Sequence, residues 1–449
     1  MWRKFGLSVF GIVVIAIAAR AETSVRVGAA EAEFVAEDSM IIGGGILGGT
    51  VSGQEGKLRA VAVVIEKSGS PPVAIVACDV LMMNRDLLDP VAETIEKELG
   101  IPSSHVLINC THTHHAPSTC TVHGYSRDEL FCRRVQDGIL AAVRKAHGQL
   151  KTGDTRFFFW LGEESSVGQN SRLLLSDHTI YWIGPHDDAI RPTGPFDPEL
   201  PVLAFRAPGG SWRGVIFNHS THTIGTRQPG KRSPSFYGLA AQELEAELGA
   251  PVCFLTGASG STHNLRLKTD EMVYRIKQAV REALLLAEER PVRRVTAIKR
   301  KFSYRVRRFD EQREDEAVAT YCRKRAPAGA EDIIRVFRNQ RAMLAPLQGQ
   351  ERTTWLQVIL IGDVAIVGVP AELFTKLGQE IKRRSPFRYT YVAELANDWI
   401  GYVPDKAAFE LGGYQTWTGL HSLADPQTGE QIVKQVVGML RELKNSSPH

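Results

Sequence analysis

The sequence has little net charge, few cysteines and no internal repeat. Its 54 lysines and arginines face 50 aspartates and glutamates, and so small an excess argues against a nucleic-acid partner, which needs a clustered basic surface. Six cysteines in 449 residues do not make a disulfide-stabilised miniprotein. With 43% hydrophobic and 23% charged residues, the composition is that of an ordinary folded protein rather than a disordered or fibrous one.

The N-terminus has the features of an export signal. A positively charged start is followed by an apolar run from Phe5 to Ala18 and by the small-residue cleavage site Ala19-Arg20-Ala21. This run is shorter than the roughly 20 residues that span a bilayer, and no later run is longer and equally apolar. We therefore expect residues 1–21 to be a signal peptide, with an uncleaved anchor as the alternative. The mature protein, residues 22–449, would be exported to the periplasm or outside the cell, with no integral membrane segment.

Export would permit disulfide bonds. Cys110, Cys120 and Cys132 lie close together along the chain, and a Cys120–Cys132 bridge is one possible pairing, although spacing does not reveal connectivity. The other three cysteines are scattered, which favours buried and unpaired side chains.

Apolar, β-rich runs alternate along the chain with amphipathic helical patterns. The predicted strands are 58–66, 73–79, 105–109, 202–206, 214–218, 252–256, 356–361 and 364–369, and the predicted helices are 86–99, 127–147, 239–248, 271–289 and 430–444. This alternation predicts an α/β fold, with a single large domain built on a mixed β-sheet and flanking helices. The highly charged stretch from about 290 to 349 has helical patterns, which indicates a solvated helical flank or insertion.

Histidines are concentrated where one predicted strand ends. The strand at 105–109 is followed by Thr111-His112-Thr113-His114-His115. In an extended backbone His112 and His114 would project to the same side, because side chains alternate. Neighbouring imidazoles on one side suit Zn²⁺, which takes nitrogen and oxygen ligands. A polar loop whose histidines only satisfy backbone groups is the alternative.

A second predicted strand ends in the same way. Phe217-Asn218-His219 is followed closely by His222. Loops at strand ends are where an α/β scaffold usually carries its site, so we expect both histidine-bearing segments to face one cleft. Either His219 or His222 is a candidate ligand, and the sequence does not choose between them.

Two glycine-rich segments resemble known motifs only in part. The segment from Gly43 to Gly48 matches G-x-G-x-x-G, but no helical pattern follows it, so we interpret it as a flexible loop. The segment from Gly257 to Ser261 does not match the G-x-S-x-G motif of nucleophilic serines. Ser259, Ser261 and His263 in and after it are candidate active-site groups or turn formers.

In combination, these segments resemble the N-terminal catalytic domain of the neutral (neutral/alkaline, non-lysosomal) ceramidase family. The resemblance covers roughly residues 24 to 425 at low identity. The motifs that carry it are Thr111-His112-Thr113-His114, Phe217-x-His219-x-Thr221, Gly368-Val369-Pro370-x-Glu372 at the start of a helix, and Gly401-Tyr402-Val403 with Tyr414 further on.

The resemblance implies one catalytic Zn²⁺ held by two histidines, a glutamate and a tyrosine. On this chain those ligands would be His112, His219, Glu372 and Tyr402. The resemblance also implies that three further side chains line the substrate side, where they hold the scissile carbonyl or stabilise its oxyanion: His114, Arg172 and Tyr414. Because its ordinary pKa suits neutral pH, His114 is the candidate for proton transfer to the leaving amine.

One element departs from the family pattern. The family's serine-bearing Gly-Asp-x-Ser-Pro-Asn is replaced here by the segment Gly260 to Asn264, so either Ser261 or His263 would take the place of the serine. The resemblance implies an exported zinc-dependent amidohydrolase that acts on a lipid or small-molecule N-acyl substrate, such as N-acylsphingosine. The same zinc site acting on a carbohydrate-linked or other small ester or amide is one alternative, and a non-catalytic metal-containing binding protein is another.

Overall fold

Nine strands form one mixed β-sheet in the computed structural model, which describes residues 24–151 and 155–446. In spatial order the strands are β11 (Val252–Thr256), β10 (Trp212–His219), β9 (Glu199–Arg206), β5 (Thr155–Glu163), β1 (Ser24–Glu33), β2 (Arg59–Glu66), β3 (Val73–Cys78) and β4 (Val106–Cys110), with β13 (Glu288–Arg290) paired to β5. The predicted signal peptide lies outside the described residues.

A second sheet has four strands. They are β14 (Val295–Arg305), β15 (Glu351–Ile361), β16 (Val364–Gly368) and β18 (Tyr389–Ala393). The two sheets pack face to face, since Ile75 and Ile216 of the large sheet share one buried cluster with Ile359 and Ile366 of the small one. The central core therefore lies between the sheets, where apolar residues leave water from both sides.

Helices cover the outer face of each sheet. On the large sheet these are Arg85–Leu99, Glu129–Gly148, Ser235–Leu248 and Thr269–Leu286. On the small sheet they are Glu311–Arg325, Ala330–Leu344, Thr375–Arg384 and Thr428–Asn445. The predicted α/β fold with a mixed sheet and flanking helices is confirmed, in the form of four layers. In the described part of the chain no helix combines the length and the apolarity needed to cross a membrane.

Short elements complete the fold. One is a short helix, Lys406–Leu411. The short strands are β6 (Gln169–Asn170), β7 (Leu173–Leu175), β8 (Ala189–Pro192), β12 (Thr262–His263), β17 (Glu372–Leu373) and β19 (Tyr402–Val403). Single helical turns lie at Ser103–His105, Gln149–Lys151, Ala345–Leu347 and Tyr414–Thr416.

The charged stretch 290–349 is not a solvated flank. Its first part is β14, which pairs with β15 along all of its eleven residues. The helix Ala330–Leu344 that follows buries Ile334 and Phe337 in the core of the small sheet. Most of the charges lie on the outward side of these elements, with Arg341 as a buried exception that pairs with Glu311 and Asp315. A helical pattern read from charge alone therefore missed the strand.

All six cysteines are buried and free. Cys120 and Cys132 lie in the core that covers the large sheet, where they pack as apolar side chains, so the structure lacks the bridge we considered between them.

Three pairs of parallel strands in the two sheets end close to one another. β3 runs parallel to β4, β10 to β11, and β16 to β18. The edge strand β4 approaches β11 and the segment after β18, since Thr256 donates its backbone N–H to Asn109 and Asn397 donates its own to Ile108. The carboxyl ends of all three pairs consequently meet in one place, where an α/β fold usually carries its site.

Candidate metal centre

Three imidazoles converge at the meeting point of the strand ends. His112 and His114 follow β4 and His222 follows β10, and one ring nitrogen from each lies within 4.8 Å of the others. Hydrogen bonds hold the two segments together, since His114 donates its backbone N–H to the Thr223 carbonyl and Thr223 donates its hydroxyl to the Thr111 carbonyl.

The backbone at His112 differs from the extended one we expected. β4 ends at Cys110, and His112 has a φ of 65°, in the left-handed region that non-glycine residues seldom adopt. His112 and His114 still face each other, with 3.4 Å between their Nε2 atoms. Strain of this kind is concentrated at functional sites, where the surrounding structure maintains it.

Each of the three rings is oriented by a backbone carbonyl. Nδ1 of His112 lies 3.0 Å from the Leu81 oxygen, Nδ1 of His114 lies 3.0 Å from the Gly44 oxygen, and Nδ1 of His222 lies 2.9 Å from the Ser259 oxygen. Because a carbonyl only accepts, each Nδ1 carries the proton and each Nε2 presents a lone pair to the centre. This is the arrangement that orients metal-binding histidines.

His219 does not belong to this group. Its Nδ1 interacts with the Tyr237 hydroxyl and its Nε2 lies 2.9 Å from the Glu164 carbonyl oxygen, so both ring nitrogens are occupied elsewhere. The structure places His222, and not His219, beside His112 and Glu372. β10 continues to His219, and the turn after it brings the later histidine back to the cluster.

Glu372 supplies the carboxylate of the site. Its Oε1 lies 3.3 Å from Nε2 of His112 and 3.6 Å from Nε2 of His222. Its Oε2 accepts a hydrogen bond of 3.0 Å from the indole of Trp399.

Short parallel strands, rather than a helix start, carry Glu372. We expected it to open a helix, but it lies in β17, and the helix begins at Thr375. β17 pairs with β19, which sets Glu372 directly opposite Tyr402. The Tyr402 hydroxyl lies 2.9 Å from Nε2 of His222, and burial together with the Glu372 charge raises its pKa well above the usual value.

The segment after β11 presses against Glu372. A Cβ on Gly260 would lie 2.3 Å from the Glu372 carbonyl oxygen, so only glycine permits this approach. Glu394, which is fully buried, accepts the backbone N–H groups of Ser259 and Leu373. The Glu394 carboxylate thus links Ser259, whose carbonyl orients His222, to β17, which carries Glu372.

The cluster opens to solvent beside two histidines. His112 and His222 are fully buried, whereas His114 and His263 are partly exposed. The His263 ring stacks on His222, with 4.1 Å between the ring centroids. Burial lowers the pKa of His114 and of His263 well below the usual value, so both are neutral imidazoles near pH 7.

The glycine-rich loop at 43–48 forms one wall of this opening. Gly44 accepts the His114 Nδ1–H, donates its own N–H to the Tyr125 hydroxyl, and has a φ of 119°. A Cβ at Gly44 would come within 2.7 Å of the His114 ring. We interpreted this segment as a flexible loop, and the structure shows that it also holds His114 in place.

Two of the predicted catalytic residues, Arg172 and Ser261, contact the segments that surround the histidine cluster. Arg172 donates to Gln415 and to the carbonyl of Gly412, and burial lowers its pKa to about 10. The Ser261 hydroxyl lies 3.2 Å from Thr375, at the start of the following helix. The hydrogen bonds of both side chains go to these supporting segments and not to the histidine cluster.

Tyr414 lies on the side of the site that Tyr402 occupies. Its ring centroid is 5.6 Å from that of Tyr402, and the two rings are nearly perpendicular. Its hydroxyl is 3.1 Å from Nε2 of His123. Trp399, Gly44, Glu394 and His123 were not candidates from the sequence, because each acts through a contact with a residue far away along the chain.

The donor set and its spacing fit a tetrahedral zinc ion. A tetrahedron of nitrogen ligands at 2.0–2.1 Å has edges of about 3.3 Å. The separations of 3.3 and 3.6 Å that join Oε1 of Glu372 to Nε2 of His112 and to Nε2 of His222 are close to this length.

Comparison with solved structures gives the fold a family context. No protein-family model matches the sequence, and no curated protein matches it. The neutral ceramidase of Pseudomonas aeruginosa superposes with a TM-score of 0.72 at 19% identity, over 95% of this chain and 75% of that one. A ceramidase complexed with C2 gives a TM-score of 0.71 at 18% identity, over 95% and 76% of the two chains. The resemblance expected from the sequence is thus confirmed at the level of structure, and the chain has the fold of the neutral ceramidases.

Proposed function

We propose that the chain is a zinc-dependent hydrolase that cleaves the amide bond of an N-acyl substrate. The observation that carries the proposal is the convergence of His112, His222 and Glu372 at tetrahedral spacing, with each imidazole oriented by a carbonyl. The two superposed structures are ceramidases, which supports an N-acylsphingosine or a related N-acyl compound as substrate.

Four side chains would hold the ion. They are His112, His222, Glu372 and Tyr402, of which His222 replaces the His219 expected from the sequence. When bound there, zinc lowers the pKa of a coordinated water to about 7 and polarises a carbonyl oxygen. Since His112 and His222 are fully buried, the protein surrounds the centre with a low-dielectric environment that strengthens these effects.

His114 is placed to move the proton. It lies beside the ligand set, partly exposed on the open side, and its Nε2 carries a lone pair because its Nδ1–H is donated to Gly44. We assign it the proton that the attacking water loses, which it then delivers to the nitrogen of the leaving amine as the C–N bond breaks. His263 stacks on His222 at the same opening and is positioned to contact the substrate.

Metal analysis and hydrolysis together test the proposal. Purified protein should contain about one zinc per chain, and it should release acid and amine from N-acylsphingosine or from one of a series of short N-acyl amines. A chelator should abolish the activity and added zinc should restore it. His112→Ala should lose both zinc and activity, whereas His114→Ala should keep zinc and lose activity. A zinc-free wild type that hydrolyses these substrates would contradict the proposal.

A further inference from the structure

The direction of the Tyr414 hydroxyl hydrogen is set by a chain of buried contacts. The Tyr414 ring stacks on Trp182 with 4.5 Å between centroids, which fixes the ring. Its hydroxyl lies 3.1 Å from Nε2 of His123, and the aromatic ring next to it on the side of the metal centre is that of Tyr402, with 5.6 Å between the ring centroids. Tyr414 therefore either donates to His123 or accepts from it and donates towards Tyr402.

Gln340 determines the first link. Its Oε1 accepts the backbone N–H of Leu420 at 3.0 Å, so its Nε2 must be the atom that faces His123 Nδ1 at 3.2 Å. Gln340 is 1% exposed and lies in the helix Ala330–Leu344, which leaves the amide no room to rotate. An amide nitrogen only donates, so Nδ1 of His123 is an acceptor and carries no proton.

His123 passes this orientation on. Burial lowers its pKa to about 4, so the ring is neutral near pH 7 and holds a single proton. With Nδ1 occupied as an acceptor, that proton is on Nε2, from which it is donated to the Tyr414 oxygen. The ring is enclosed on its other sides by Tyr125, Phe337 and His421.

We propose that Gln340 and His123 are positioning residues that make Tyr414 a hydrogen-bond donor towards the Tyr402 side of the metal centre. Tyr414 accepts from His123 and so has its own hydroxyl hydrogen for Tyr402 or for the oxygen of a substrate carbonyl. A donor that is already oriented stabilises the negative charge that develops on that oxygen without reorganising during the reaction. The role of this donor in catalysis rests on the proposed function, whereas the orientation itself does not.

Gln340→Glu tests the arrangement by reversing it. A carboxylate keeps the acceptor for Leu420 but offers an acceptor to His123, so the imidazole proton moves to Nδ1 and Nε2 becomes an acceptor. Tyr414 would then donate to His123 and lose its hydrogen for the metal centre. We expect kcat on the N-acyl substrate to fall about 100-fold, with KM and zinc content nearly unchanged and a melting temperature lowered by the cost of burying the carboxylate.

Gln348→Glu is the matched control. Gln348 also accepts a backbone N–H, from Phe309, but within residues 24–151 and 155–446 it has no hydrogen bond to a histidine. It should retain wild-type kcat. Gln340→Met, which removes the donor without adding charge, is the second variant and should lower kcat by a smaller factor.

Nitrogen-15 NMR of imidazole-labelled protein reads the tautomer of His123 without a substrate. The wild type should carry the proton on Nε2 and Gln340→Glu on Nδ1. A wild-type proton on Nδ1, or a reversed tautomer with unchanged kcat, would overturn the proposal, as would a loss of zinc that accounts for the fall in kcat. If the wild type hydrolyses no amide, the proposed function fails, but the NMR result still decides the orientation.

Discussion

The indole nitrogen of Trp399 donates a 3.0 Å hydrogen bond to Oε2 of Glu372, while Oε1 of the same carboxylate faces His112 and His222. The carboxylate is therefore held on one side by an uncharged donor and turned on the other side towards the imidazoles. Contacts of this kind, one step away from a metal, tune its affinity as well as its geometry.

Trp399→Phe should lower zinc affinity by about 10- to 100-fold, because one oxygen of a buried carboxylate loses its partner and the other loses its orientation. Competition with a chromogenic chelator measures this change. Trp355→Phe is the matched control, since Trp355 also donates its indole N–H to a carboxylate, that of Asp89, outside the histidine cluster. Equal zinc affinity in Trp399→Phe and wild type would show that this contact does not position the ligand.

Alanine variants of the two histidines after β10 should behave differently. His222→Ala should lose zinc and activity, whereas His219→Ala should keep its zinc and lose about 1–3 kcal/mol of unfolding free energy, because Tyr237 and the Glu164 carbonyl lose a buried partner. Zinc analysis measures the metal content of both variants, and urea unfolding measures their free energies of unfolding. Loss of zinc in His219→Ala alone would restore the ligand first expected from the sequence.

Gly44→Ala should reduce activity at least tenfold with little change in zinc content. The added methyl group would collide with the His114 ring and would require a φ of 119° that alanine rarely adopts, at a cost of about 1–3 kcal/mol. Steady-state kinetics measures the effect. Gly49→Ala, in the same loop but with no atom near its Cβ, should be as active as the wild type. Similar losses in both variants would argue against a specific contact with His114.

Acid should destabilise the fold partly through His115. Burial lowers its pKa to about 4, and its Nε2 accepts the backbone N–H of Gly225, which a protonated ring could not do. Between pH 4 and the usual value of about 6.5 the unfolded chain binds more protons at this residue, so its contribution to stability is complete above pH 6.5 and is lost as the pH falls towards 4.

Urea unfolding at pH 7 and at pH 5, with a chelator present, measures the change in unfolding free energy between the two pH values. His115→Asn should lose less stability than the wild type over this interval. His178→Asn, at an exposed position, should lose as much as the wild type. If His115→Asn is as sensitive to acid as the wild type, other buried groups account for the whole pH dependence.

Local sequence was sufficient for most of the fold. The apolar runs that became β2, β3, β10, β11, β15 and β16, and the amphipathic patterns of the helices between them, are visible because burial imposes a period of two or 3.6 residues. β1, β5, β14 and β18 were not among the predicted strands. Charge concealed β14 in particular, because a sheet with one solvated face tolerates lysine and arginine along it.

The sequence by itself determined that histidines follow β4 and β10, that glutamate and tyrosine follow later strands, and that the chain has the character of an α/β protein. Only the tertiary structure decided which of these side chains face one another. His219 and His222 are equivalent in sequence, and the choice depends on a carbonyl of Ser259 and a carboxylate of Glu372, each remote along the chain. Gln340 lies in the segment that the sequence indicated as a charged flank, and its hydrogen bond to His123, which in turn contacts Tyr414, likewise joins residues that are remote along the chain. A ligand set is a property of distances in space, and those are fixed by packing between elements rather than by the pattern within any one of them.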